Sequence, residues 1–245
     1  MSRLLEAELR RLDGAVTGHS ARVEDAVRRA ALALRRRDAG QALEVARAQA
    51  ALRPREDAIE EECLKLIALH QPVAGPLRHL IGVVKMNLHL GRAGGLAVNL
   101  ARKARALAAL PPAPEPPGLG PMAEGAVDML HEAISAFVAD DLEAARAVIG
   151  RDREVDRGKR AVRRACEAAL GADPAQARQQ IVYLGAARNL ERLADMAVAV
   201  ARSLLRAADG DPDGTPGAEG EGEGEGGPPE EAGEAPPDTA AEPEE

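Results

Sequence analysis

Arg188-Asn-Leu-Glu-Arg-Leu-Ala-Asp-Met-Ala-Val-Ala-Val-Ala-Arg202 is the stretch whose reading decides the fold. Leu190, Leu193, Ala194, Ala197 and Val198 recur at helical spacing, so they form one apolar face. Glu191 and Asp195 stand one turn apart beside that face, and both carboxylates can address one cation or one basic partner. Acids next to apolar packing are costly unless compensated. The pair therefore reads either as a salt-bridged helix face or as half of a site.

The same face-sorting extends over most of the chain. A first helix is expected over 2–37, with Leu5, Leu9, Leu12, Val16, His19, Val23, Ala26 and Ala30 alternating steps of four and three, the seam of a bundled helix. His19 lies on that seam as a core-edge residue. Asp38 can cap a second helix carrying Leu43, Ala46, Ala50, Ile59, Cys63, Leu66 and Ile67 to the turn at Gln71-Pro72. Pro54 falls inside it and removes a backbone hydrogen bond, so a kink or short break belongs there. Pro76 opens a third helix, whose Gly91, Gly94 and Gly95 should make it soft.

Pro111 to Pro121, PPAPEPPGLGP, reads as a semi-extended link. Beyond it the order starts again: a helix over 122–138, a cap at Asp140, a helix to about Leu170, and Pro174 opening the last helix. Adding 100 maps Leu90, Arg92, Ala97, Val98, Ala101 and Arg102 onto Leu190, Arg192, Ala197, Val198, Ala201 and Arg202; adding 103 maps Cys63 onto Cys166. Two tandem three-helix units follow. The expected fold is all-α: a first repeat over 1–110, a linker over 111–121, a second repeat over 122–208, and a disordered acidic tail over 209–245.

Composition agrees. Tyr183 and Phe137 are the only aromatics and Trp is absent, which suits helices packed through small and aliphatic side chains. The net charge of -8 hides two populations, because 14 acids lie between Asp209 and Glu245 and no Lys or Arg follows Arg206. The body before the tail is mildly basic, which means an acidic partner or simply Arg-rich helix surfaces, and arginines spread over every helix favour surfaces; no nucleic-acid partner is expected. Cys63 and Cys166 are the only cysteines, and no uncharged run approaches a membrane span. A cytoplasmic protein without a signal peptide is the expectation.

The run EECLKLIALHQPVA (Glu61 to Ala74), followed by Leu77-Arg78, and the run NLERLAD (Asn189 to Asp195) resemble the PhoU family over about residues 3–206. That resemblance implies a dimeric, non-enzymatic regulator. It would bind the ATPase subunit of the Pst phosphate transporter (PstB-like) and a PhoR-like histidine kinase, and would repress phosphate uptake and the Pho regulon when phosphate is plentiful. It also implies metal binding through paired acids on the second and third helices of a unit. In the second unit these are Asp152, Asp156, Glu191 and Asp195, with a family aspartate replaced by Asn189. Four carboxylates suit a divalent or iron-type cation.

The first unit has lost the set. The repeat offsets place Gln49 and Arg53 opposite Asp152 and Asp156, and His89, Gly91 and Gly95 opposite Asn189, Glu191 and Asp195. A site with no carboxylate and an arginine in its middle should not hold a cation. Arg188 and Arg192 are the nearby candidates to neutralise the second unit's acids without metal. There is no G-x-x-x-x-G-K cradle, G-x-S-x-G elbow or Glu-x-x-His pair, and His70, His79, His89 and His131 are scattered, so catalysis is not expected. A carboxylate-metal store or enzyme, and a helical adaptor without metal, stand as the alternatives.

Overall fold

A computed structural model describes residues 3–209, and the expected disordered acidic tail lies outside the described residues from 210 onward. Seven α-helices follow one another: α1 (Arg3–Arg36), α2 (Ala39–Ala50), α3 (Arg53–His70), α4 (Gly75–Ala108), α5 (Leu119–Ala139), α6 (Leu142–Ala172) and α7 (Ala177–Asp209). A 3-10 turn, Pro174–Gln176, precedes α7. Among the described residues there is no strand.

The seventh helix comes from the proline in the second one. Pro54 occupies the first turn of α3, where a missing N–H costs least, and buried Leu52 stands at the junction with α2. The sequence's second helix is thus two helices, α2 and α3, whereas its counterpart α6 runs unbroken.

The backbone repeats at the offset found in the sequence. Arg37 takes φ 55° and Asp140, 103 residues later, takes φ 53°, each a left-handed residue ending a helix. Asp38 N donates to Ala33 O at 2.9 Å, and Asp141 N donates to Ala136 O at 2.9 Å, which closes the same six-residue turn after α1 and α5. Asp38 Oδ1 then accepts from Gln41 N, and Asp141 Oδ1 accepts from Glu143 N and Ala144 N. The cap expected at Asp140 is therefore Asp141, because Asp140 is spent on the left-handed turn.

In the first repeat α1, α2 and α3 pack on α4; in the second, α5 and α6 pack on α7. The repeats share a core, since α4 lies against α7 and α1 against α5 within one compact body. Arg37 fastens the linker to this body, its guanidinium donating to the carbonyls of Leu107, Leu110 and Pro111. Three of the scattered histidines have partners on α1, whereas His89 Nδ1 is buried without one. His70 Nε2 lies 2.6 Å from Glu8, His79 Nε2 2.8 Å from Asp13, and His131 Nδ1 2.7 Å from Glu24. They tie α3, α4 and α5 to the first helix.

Candidate functional site

The second repeat brings its acids to one groove between α6 and α7. Val148, Val155 and Val162 form the buried stripe of α6, and Asp152, Asp156 and Lys159 recur beside it at steps of four and three. On α7, Leu190, Leu193, Ala194 and Ala197 are buried, and Glu191 and Asp195 stand on the shoulder of that stripe. Packing of the two stripes against each other sets the two acid pairs face to face at the core edge. The apolar contact positions them.

Electrostatics record the crowding. Desolvation pushes the Asp152 carboxyl above its ordinary range, as do Asp156 and then Glu191, while Arg202 opposes them. Desolvation likewise raises Asp195, followed by repulsion from Glu191, Asp152 and Asp156, with Lys159 opposing. One cation has already entered the group: Lys159 Nζ donates to Glu191 Oε1 at 2.5 Å. Sequence reasoning nominated Arg188 and Arg192 for that task, yet both are exposed and neither forms an ion pair among the described residues. Lys159 was legible as the residue one turn beyond Asp156 on the same face.

In charge and donor chemistry, four oxygen ligands fit a hard or borderline cation. As the side chains stand, no group of three or more Asp, Glu, His or Cys residues among the described residues converges closely enough to hold a metal ion. The arrangement is a set of neighbouring carboxylates with an internal lysine, and taking up a metal would require the acids to draw together and Glu191 to exchange partners.

The first repeat is built differently at the same place. Lys159 corresponds, through the offset of 103, to Glu56, and Glu191 corresponds to Gly91. The swap is reciprocal: Glu56 Oε2 lies 2.8 Å from where a Cβ on Gly91 would stand, so the carboxylate fills the space of the missing side chain. Gln49, at the position of Asp152, likewise enters the space above Gly94. Hence the groove does contain a carboxylate, against the expectation of none, because Glu56 lies outside the four positions compared. Desolvation raises the Glu56 carboxyl, Arg53 opposing and Asp57 adding to the rise.

The PhoU domain family matches this chain twice, over residues 18–104 and 119–204. The chain belongs to that family. Caulobacter vibrioides has a phosphate-specific transport system accessory protein PhoU homolog that is 31% identical over 198 residues, spanning 79% of this chain and 85% of the relative. The homolog of the same description from Aquifex aeolicus is 31% identical over 170 residues, 69% of this chain and 77% of its own length. In three dimensions the crystal structure of PhoU from Pseudomonas aeruginosa matches with a TM-score of 0.79 at 29% identity, covering 84% of this chain and 99% of that one. PhoU from Streptococcus pneumoniae, at 24% identity and a TM-score of 0.75, shares the fold.

Proposed function

We propose that this chain is an accessory regulator of phosphate-specific transport. It acts as a cytoplasmic homodimer without enzymatic activity, restraining uptake and Pho-regulon signalling by contact with the transporter ATPase subunit and a PhoR-like sensor kinase. The observation that carries this reading is the family match over both repeats, joined to relatives that are phosphate-specific transport accessory proteins along most of their length. Two further features support it. No helix among the described residues is long and apolar enough to cross a membrane. Leu64, Leu69 and Val73, on α3 and the turn after it, are exposed, as suits a chain that works through protein contacts.

The test is capture of the tagged full chain from phosphate-replete cells. Co-purification of the transporter ATPase subunit and the kinase supports the reading. It fails if neither is retained and if the chain does not restore phosphate control to a strain lacking it.

The acidic cluster favours a second element in this proposal. Asp152, Asp156, Glu191 and Asp195 would hold a divalent or iron-type cation in the second repeat only, and Lys159 competes for the same place. The crowding that raises Asp152 and Asp195 supports it. Elemental analysis after chelator-free purification, on the wild type and on the Glu191→Ala, Asp195→Ala double variant, decides it: metal in the first and none in the second is the expected result.

A further inference from the structure

The first repeat carries a groove of about 830 Å³ between α4 and the α2–α3 pair. Its floor is polar and incompletely paired. Asn87 is 6% exposed, and its Nδ2 donates to the Glu56 carbonyl at 2.8 Å, which fixes the amide and leaves Oδ1 turned away from that bond. Asn87 Oδ1, Gln49 Oε1 and Glu56 Oε1 are all buried, all belong to residues lining this groove, and none has a hydrogen-bond partner in the protein. His19 Nε2, itself buried without a hydrogen-bond partner, lies 3.9 Å from Glu56 Oε1, beyond hydrogen-bond distance, and can at most serve that one oxygen. Buried polar atoms are seldom left unpaired, so three acceptors on residues that line one groove ask for donors.

The groove's other charges narrow what can supply it. Arg53, Arg92 and Arg102 line it, and none of them forms an ion pair among the described residues. In the second repeat Arg202, the counterpart of Arg102, faces Asp152; in the first, that acid is the neutral Gln49. A divalent metal is a poor match, because the buried set holds one carboxylate and two amide oxygens beneath three guanidinium groups. A simple anion suits the arginines but leaves the acceptors unpaired and meets Glu56. Asp57 and Glu60 also line the groove but are exposed, where water serves them.

We propose that this groove binds a small primary ammonium compound that also carries an anionic group. The ammonium would give its three N–H donors to Gln49, Glu56 and Asn87, and the carboxylate or phosphate would face Arg53, Arg92 and Arg102. Gly91 and Gly94 make the site possible, since a Cβ on either would displace the side chain that supplies an acceptor.

Calorimetric titration of the full chain with phosphoethanolamine and with the common L-amino acids tests this. Phosphocholine serves as the control that keeps anion and positive charge but has no N–H. Saturable binding of at least one primary amine, absent with phosphocholine, is expected; Asn87→Leu and Arg92→Ala should each weaken it about tenfold or more. Arg92 is exposed, so its variant keeps the test valid if Asn87→Leu fails to fold. The proposal is overturned if no primary amine binds, if phosphocholine binds equally, if Arg92→Ala leaves affinity unchanged, or if Mn²⁺ or inorganic phosphate alone occupies the groove.

Discussion

Lys159 decides how the second repeat's acids behave. Its ion pair with Glu191 is 43% exposed on the lysine side, so the pair contributes about 1 kcal/mol or less to stability. It also acts on Asp195, drawing the carboxyl back toward the ionised form against desolvation and the repulsion of Glu191, Asp152 and Asp156. Lys159→Met should therefore raise the affinity for Mn²⁺, measured by titration, since the competing cation is gone and Glu191 is released; unchanged affinity would show that the lysine does not compete. The sign of the pH effect follows from the raised carboxyls. A group whose folded pKa lies above its unfolded value stabilises the fold below the unfolded pKa, and that stabilisation is lost as pH rises through the folded pKa. Asp195→Asn should accordingly raise the denaturation midpoint at neutral pH, and its advantage should vanish as pH falls to the ordinary carboxylate value of 3.8. An advantage that persists at low pH would mean that packing, not ionisation, is the cause. Glu191 and Asp195 were legible because helical spacing puts them on one face of α7, and Asp152 and Asp156 through the family resemblance; Lys159 was passed over for Arg188 and Arg192, because which of these cations faces the acids depends on how α6 is rotated against α7.

At the scale of elements, the sequence showed where the helices lie and less of how they end. Pro54 marked a break in the second helix, and the break is there, but only packing of Leu52 decides that two separate helices result. Gly91, Gly94 and Gly95 suggested a soft stretch, yet α4 runs through them unbroken. Two of them meet a long-range contact that local propensity does not contain: Glu56 and Gln49, from the other side of the hairpin, occupy the space beside Gly91 and Gly94, while Gly95 faces open space. This yields a prediction for the pair. Gly94→Ala alone should destabilise the protein by about 1–3 kcal/mol, because the new methyl overlaps the Gln49 amide in a buried site. In a Gln49→Ala background the same change should be neutral or stabilising by about 1 kcal/mol, since only the helix preference of alanine over glycine remains. Chemical denaturation of the four proteins of the cycle measures the coupling, and additive effects would show that the contact does not restrict Gly94.

For the whole molecule, the question is whether two repeats with a common ancestry of pattern fold as two units or one. The shared contacts of α4 with α7 and α1 with α5 mean that neither repeat encloses its own core. The chain supplies its own reporters. Cys63 in the first repeat and Cys166 in the second are both fully buried, and burial pushes each thiol up to about 11, so neither is reactive in the folded protein at neutral pH. Tyr183, the only tyrosine and also buried, reports on the second repeat by fluorescence in a protein without Trp. Leu34 is fully buried on α1, and Leu34→Ala should cost about 2–5 kcal/mol through lost burial and the cavity left behind. If the body is one cooperative unit, that change in the first repeat lowers the Tyr183 transition and the exposure midpoints of both cysteines by the same amount. If Cys63 becomes reactive at a lower denaturant concentration while Cys166 and Tyr183 keep their wild-type midpoints, the repeats unfold independently, and the contacts between α4 and α7 do not couple them.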